Sequence, residues 1–252
     1  MQHLTKLSVV FDMLTEQNAP LTQISTIGPY LQGVLMEHLD AAYVEQLHNH
    51  SFNPYSQYCW VDKENQECIW RINTLTDEAS NQIIRPIQEI DSILVRRSNL
   101  SLKVKTKIIE TIELKCLTDR IRDDNQKKSS LTFLTPTSFK SSGSYVFMPS
   151  VRLILQNLLM HYDALYGDSG EIDEETLQYM EQNVKILSYR LHSQYFSHVS
   201  GTHKIPAFMG SLTLSCQGPQ PIVGLVRMLL NFGEYAGIGI KTAMGMGGMK
   251  CV

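Results

Sequence analysis

At 252 residues the chain has room for one large domain or two of ordinary size. Its 43% hydrophobic and 19% charged residues exclude disordered and collagen-like classes. A formal net charge of −3 gives no overall pull toward nucleic acid, and no run approaches the roughly eighteen apolar residues of a membrane helix. Residues 1–10 lack the basic, apolar and small-residue succession of a secretory leader. The five cysteines, at 59, 68, 116, 216 and 251, are odd in number and contain no Cys-x-x-Cys pair. The expectation is a cytoplasmic, membrane-free protein without metal or cofactor.

The average charge hides a polarised distribution. Residues 1–95 carry four Lys/Arg against twelve Asp/Glu, whereas residues 96–140 carry eleven against five, Arg96, Arg97, Lys103, Lys105 and Lys107 among them. Residues 182–252 carry six basic side chains against the single acid Glu234. The second and last blocks could assemble one basic surface, or they could be ordinary solvated strand faces.

Along the chain, Leu4 to Leu14 alternates as a strand through Leu7, Val9 and Phe11. A helix is predicted over 27–39, where Ile27, Leu31, Val34, Leu35 and Leu39 recur at helical spacing. A short segment from Tyr43 to Leu47 leads into the loop His48-Asn-His-Ser-Phe-Asn-Pro54. Tyr55–Val61 and Cys68–Ile72 read as a hairpin, followed by a helix at 77–88 and a strand at Ser92–Arg96. The order is βαββαβ. Further strand pattern lies between Lys103 and Leu117, and Arg122 to Ser129 is the linker candidate.

The second half opens with Leu131–Leu134 and the loop Thr135-Pro-Thr-Ser-Phe-Lys140-Ser-Ser-Gly143. Helix 150–165 has a broad apolar face through Val151, Ile154, Leu155, Leu158, Leu159, Tyr162 and Leu165. An acidic exposed segment at 168–181 precedes two long strands at about 184–196 and 204–216, a helix at 220–231 and a short final strand. On the first of those strands Arg190 and His192 fall opposite Leu187, Tyr189 and Leu191; His203 and Lys204 begin the second. This order is βαββαβ again. The expected fold class is α+β, with two tandem ferredoxin-like (RRM-like) domains, 1–122 and 130–252, and a C-terminal glycine-rich loop.

That loop lies in Gly237-Ile-Gly-Ile-Lys-Thr-Ala-Met-Gly-Met-Gly-Gly-Met-Lys-Cys-Val252, which holds five of the fifteen glycines. Such a run lets backbone N–H groups approach an anion, phosphate above all. It is no P-loop, because Ile240 rather than glycine precedes Lys241. A dinucleotide fold needs a helix and a strand after its glycines, and only Gly248-Met-Lys-Cys-Val252 follows. The loop is expected between the last helix and last strand of the second unit, near the cleft between the units.

No Ser or Cys nucleophile motif and no paired carboxylates stand out. His48 and His50, flanked by Tyr43, Asn53 and Tyr55, are the best acid–base candidates, since imidazole titrates near neutrality. The i, i+2 pair as metal ligands and the pair as idle loop residues remain open alternatives. RNA suits histidine chemistry, because its own 2′-hydroxyl supplies the nucleophile.

Four features together carry a resemblance: Tyr30-Leu-Gln-Gly-Val-Leu; Leu47-His48 shortly before Pro54-Tyr55; Phe133-Leu-Thr-Pro-Thr-Ser-Phe139 with Gly143, Tyr145 and Pro149; and the late glycine run. In these the chain resembles the metal-independent endoribonucleases that process CRISPR repeat transcripts, of the repeat-associated glycine-rich-loop protein superfamily. The resemblance implies two ferredoxin-like domains and cleavage inside a repeat, leaving a 2′,3′-cyclic phosphate or 3′-phosphate and a 5′-hydroxyl. It makes His48 the acid or base, with His50 and Tyr43 beside it. Gly237, Gly239, Lys241, Thr242, Gly245, Gly247 and Gly248, with Lys140, Arg190 and Lys204, would hold RNA.

Two departures matter. Met36 stands where some members carry a tyrosine facing the histidine, so Tyr43 is the substitute. Asn53 stands where many carry a lysine, which leaves transition-state charge to Lys241 or Arg190. The expected partner is the precursor repeat RNA, with a transient contact to an effector complex and a homodimer as further expectations. A non-catalytic RNA-binding subunit of a guide-RNA complex and an unrelated small-molecule module are the alternatives.

Overall fold

The computed structural model describes residues 2–12, 27–49, 52–62, 64–65, 67–95, 100–167, 173–197 and 204–252. The first half begins with β1 (His3–Asp12), whose Leu7, Val9 and Phe11 point into one core. Helix α1 (Gly28–Glu37) starts on Pro29, whose missing N–H would have lacked a helical acceptor anyway, and buries Leu31, Val34 and Leu35. Helix α2 (Ala41–Asn49) precedes the hairpin of β2 (Tyr55–Asp62) and β3 (Glu67–Thr74). Asp62 closes that hairpin, its Oδ1 accepting from Glu64 N at 3.0 Å and Asn65 N at 3.3 Å.

The expected helix 77–88 is present in three pieces. They are α3 (Asp77–Ala79), capped by Thr76, a π-helical turn over Ser80–Ile84, and α4 (Arg85–Gln88). The wider turn keeps Ile83, Ile84 and Ile87 all in the core. Strands β4 (Ser92–Val95) and β5 (Leu100–Glu113) complete a sheet of order β2-β3-β1-β5-β4, antiparallel throughout. This corrects the sequence reading at one place. The closing strand of the ferredoxin pattern, the one paired with β1, is β5. The segment beginning at Ser92 is only an edge hairpin on it.

Two short helices, α5 (Leu114–Thr118) and α6 (Arg120–Asp123), follow. Only the end of α6 reaches into the expected linker, and the two helices lay Leu117 and Ile121 against the core of the second half. That half comprises β6 (Lys128–Thr137), a small hairpin of β7 (Phe139–Ser141) and β8 (Ser144–Val146), α7 (Val151–Tyr166), α8 (Glu174–Asn183), β9 (Val184–Ser197), β10 (Lys204–Cys216), α9 (Gln220–Ala236) and β11 (Met249–Cys251). Ser150 caps α7 by accepting from Leu153 N at 3.2 Å. The expected exposed acidic segment is helix α8 from Glu174 onward, capped by Asp173 and anchored by buried Leu177 and Met180. Its sheet runs β11-β6-β10-β9, which is the ferredoxin order. The chain is therefore α+β with two βαββαβ units.

The units interlock. Leu4 and Leu75 of the first half join the second core, and Ala243 of the second half joins the first. The C-terminal end of α9 covers the sheet face left open by the first half's helices. There Lys6 Nζ meets Glu234 Oε2 at 2.7 Å, Ser56 Oγ donates to the Tyr235 carbonyl at 2.6 Å, and Asn73 Nδ2 donates to the Glu234 carbonyl at 3.2 Å. Tyr166 OH donates to the Leu75 carbonyl on the other side of the junction. The face that RNA-recognition domains offer to single strands is, in the first half, occupied by protein.

Candidate nucleic-acid interface

The run from Gly237 to Gly248 connects α9 to β11 and fills the junction between the units. A Cβ on Gly239, whose φ is 86°, would run into the Ser138 carbonyl oxygen, and one on Gly248 would enter the Tyr58 ring. Gly245 lies directly against Gly28 of α1. Glycine is needed here because two backbones and a ring approach where no side chain fits.

The N–H groups of this run are mostly turned inward. Gly237 N donates to the Gly233 carbonyl at 2.9 Å, Gly239 N to Asn157 Oδ1 at 2.6 Å, Gly247 N to the Pro136 carbonyl at 3.0 Å and Gly248 N to Thr135 Oγ1 at 2.9 Å. All five glycines are buried. The expected anion cradle of glycine amides is corrected accordingly: these residues shape the turn. The exposed part of the loop is Lys241, with Thr242 half-exposed beside it. Lys241 adopts a left-handed backbone, φ 56°, uncommon for a non-glycine residue, at the start of a 3₁₀ turn over Thr242–Met244.

Beside the loop is a cleft of about 660 Å³ between the units. It is lined by Gln32 of α1, Phe52 and Asn53 ahead of β2, Phe139–Ser142 of the β7–β8 hairpin, one face of α7 (Leu153, Gln156, Asn157, Met160, His161) and Gly239–Met244. Among the described residues Lys140 and Lys241 are its two cationic residues, and no carboxylate lines it. A neutral-to-positive groove rich in amides and hydroxyls suits a phosphodiester with its attached bases.

Helix α2 carries the histidine. His48 is exposed at its last turn and lines neither this cleft nor the second hollow beyond Phe52. His50 lies outside the described residues, as do Arg96, Arg97 and His203. Tyr43, five positions before His48, turns the other way. It is 6% exposed, its hydroxyl has no hydrogen-bond partner among the described residues, and it lines the second hollow, of about 390 Å³, with Leu47, Phe52 and Glu78. Burial, with a smaller push from Glu78, raises its phenol to about 12. A five-residue offset sets two side chains about 140° apart on a helix, so one faces the core and the other solvent. The structure does not bring Tyr43 to His48.

The basic residues sort into two groups. Lys6, Lys105, Lys107, Arg152 and Arg227 are held in ion pairs with Glu234, Glu67, Asp91, Glu174 with Glu181, and Asp124 respectively. Lys140, Arg190, Lys204 and Lys241 are exposed and carry no ion pair among the described residues. Arg190, His192 and Phe196 share one face of β9 by strand alternation. Phe196 packs with Ile205, Ala207 and Met246, against Ile240 and Met244 of the glycine run. That face therefore leads from Arg190 to the loop. Lys204, opposite Ser197 at the far end of the hairpin, falls on the other face. Because β9 is an edge strand, Leu187 and Tyr189 are exposed too, at 51% and 61%.

His161 was not singled out from the sequence. It is 8% exposed, at the cleft wall, with its ring edge-on to Phe52 at 4.8 Å between centroids. Burial lowers it to about 4, so it is neutral at ordinary pH. The available signal was the pair Asn157 and His161, four positions apart and offset from the apolar face of α7.

This geometry has relatives. The sequence profile described as CRISPR-associated endoribonuclease Cas6 matches residues 131–249. The CRISPR-associated endoribonuclease Cas6 of Streptococcus thermophilus is 40% identical over 221 residues, 86% of this chain and 88% of that one. The protein of that description from Mycobacterium tuberculosis (strain CDC 1551 / Oshkosh) is 36% identical over 255 aligned positions, 99% of this chain and 78% of that one. Among solved structures, a Cas6 product complex superposes with TM-score 0.77 at 16% identity, covering 99% of both chains. A Thermus thermophilus Cas6 superposes with TM-score 0.74 at 18% identity, covering 100% and 99%. The structural likeness confirms the paired ferredoxin-like units, and the sequence likeness extends over both of them: the chain belongs to the Cas6 family of CRISPR-associated endoribonucleases.

Proposed function

We propose that this endoribonuclease cleaves within the repeats of a precursor CRISPR transcript to release guide RNAs, with His48 as its acid–base residue and without a metal ion. The observation that carries the reading is the inter-unit cleft. It offers Lys140, Lys241 and Thr242, and its lining includes Phe52 and Asn53, which follow His48 by four and five positions in sequence. Solved Cas6 structures of the same fold include a product complex and a substrate-mimic complex, and the substrate of an endoribonuclease is RNA.

In the proposed step the 2′-oxygen attacks the adjacent phosphorus, a P–O2′ bond forms and the P–O5′ bond breaks. His48 either removes the 2′-hydroxyl proton or delivers a proton to the leaving 5′-oxygen, giving a 2′,3′-cyclic phosphate and a 5′-hydroxyl. Lys241 and Lys140 offset charge on the phosphorane. Tyr43 has no part in this step, since its phenol is buried. The domains act as units 1–122 and 130–252, with RNA held across their junction and along the Arg190 face; Lys204 would touch only RNA that extends past the hairpin tip.

The test is incubation with repeat RNA in EDTA, with product ends mapped. Cleavage lost in His48→Ala, and on 2′-deoxy substitution at the nucleotide 5′ of the cut, is expected. A general acid or base contributes about 10²–10⁴-fold, so the variant should slow by that factor while melting like the parent. Intact RNA bound by the unaltered protein would favour a non-catalytic RNA-binding subunit instead.

A further inference from the structure

His161 is a buried imidazole that the proposed chemistry does not use. Its residue is 8% exposed, and no hydrogen bond to it is found among the described residues. Its ring nitrogens are not among the sealed, unpartnered polar atoms, so they open onto the cleft, where a ligand can bond them. The lining it shares with the segment ahead of β2 is uncharged. Phe52 supplies an aromatic ring, 4.8 Å away and tilted 66°. Asn53, next to Phe52 in sequence, supplies an amide, and Met160, next to His161, an apolar side chain. None of these is charged, whereas the two lysines sit with the β7–β8 hairpin and the glycine loop.

A neutral imidazole presents one donor and one acceptor, as an amide does. Such groups match the edge of a nucleobase, whose donors and acceptors alternate, and match a phosphate poorly. Single-stranded RNA is read by splayed bases stacked on aromatic rings and hydrogen-bonded along their edges. At about 660 Å³ the cleft has room for a base beside the phosphodiester, within the range of ordinary ligand pockets.

We infer that His161, Phe52 and Asn53 form a subsite for one unpaired nucleobase of the RNA, with His161 hydrogen-bonding the base edge. The inference rests on the RNA reading above but not on catalysis. His161 is then a specificity-determining contact and not an acid or base.

The test uses full-length protein and a repeat RNA made uncleavable by a 2′-deoxy nucleotide at the cut, scanned with single abasic positions. One abasic position is expected to weaken binding to the wild-type protein about tenfold and binding to His161→Phe by clearly less, because the variant has already lost the edge contact and keeps only the ring of Phe52. His161→Asn, which keeps a donor and an acceptor, should retain most of the sensitivity at that position. If every abasic position weakens wild type and His161→Phe equally, the inference is overturned.

A second measurement covers a variant that folds poorly. With ¹⁵N-histidine-labelled wild type, the His161 ring resonances, assigned by their absence in His161→Asn, must shift when the uncleavable RNA binds; unmoved resonances overturn the inference. Failure of the wild type to cut native repeat RNA would sink the catalytic reading alone, since both measurements depend only on binding.

Discussion

Gln57, fully buried on β2, donates from Nε2 to the carbonyl oxygen of Ala243 at 3.1 Å, across 186 positions of sequence. The same amide donates to the Gly28 carbonyl at 2.9 Å, and its Oε1 accepts from Trp70 Nε1 at 2.8 Å. One side chain thus ties the glycine loop, α1 and the first core together. Gln57→Leu would leave two buried polar groups unpaired, the Ala243 carbonyl and the Trp70 indole N–H, at about 1–3 kcal/mol each, since the Gly28 carbonyl keeps its bond within α1. We expect a loss of about 2 kcal/mol or more, read as an earlier urea midpoint. RNA affinity should fall with it, because the loop bearing Lys241 loses its anchor.

Tyr43 gives an opposite expectation. Its hydroxyl is buried without a partner, so Tyr43→Phe should be neutral or stabilise by up to about 1 kcal/mol, with cleavage unchanged. The sign at high pH follows from its raised phenol, about 12 in the fold against 10.0 ordinarily. The unfolded chain loses the proton first, so the tyrosine's contribution declines as pH rises through 10 toward 12, and the phenylalanine variant escapes that part of the decline. A denaturation series on both proteins across this window checks it; cleavage lost in the variant would restore Tyr43 to the chemistry.

Lys140 and Lys241 should act as phosphate contacts. For single-stranded RNA each neutralised phosphate contributes about 0.7 to the slope of log affinity against log salt. Lys140→Ala and Lys241→Ala should each lower the slope by about that amount, and the double variant by about twice it. Both side chains are exposed, so melting temperatures should hold. Unchanged slopes would remove RNA backbone from this cleft.

His161 predicts an acid sensitivity. Burial takes it from 6.5 to about 4, so the fold resists protonating it while the unfolded chain does not. Its contribution is intact above pH 6.5 and fades as pH falls toward 4, on the order of 3 kcal/mol at the limit. His161→Phe should lose less stability than wild type over that interval. Equal losses in urea titrations at pH 7 and pH 4.5 would show that the imidazole is solvated.

Most of the architecture was legible because apolar residues recur at the right periods: α1, α7, α9 and the β2–β3 hairpin all lie within a few residues of expectation. The closing strand of the first unit was misplaced for a physical reason. Ile93 and Val95 of β4 look like a core strand, whereas β5 carries Lys103, Lys105 and Lys107 and is largely exposed on both faces. Its pairing with β1, not its composition, makes it structural. Helix α8 was missed because Leu177 and Met180 are its only buried anchors, too few for a periodic signal. In the site, the position of the glycine run was legible and the direction of its N–H groups was not. Which acceptors they meet depends on Asn157, Pro136 and Thr135, each far away in sequence.

The exchange of side chains between the two cores has a consequence during synthesis. The first half leaves the ribosome long before Ala243, yet its cluster includes that residue and Gln57 waits on that carbonyl. At roughly 5–20 residues per second, 186 further positions take on the order of 10–40 seconds. For that interval the nascent N-terminal half carries an open junction, with the sheet face that α9 later covers still bare. A chaperone or a trailing ribosome meets this protein as a half-built sheet, and only the emergence of the glycine run closes it.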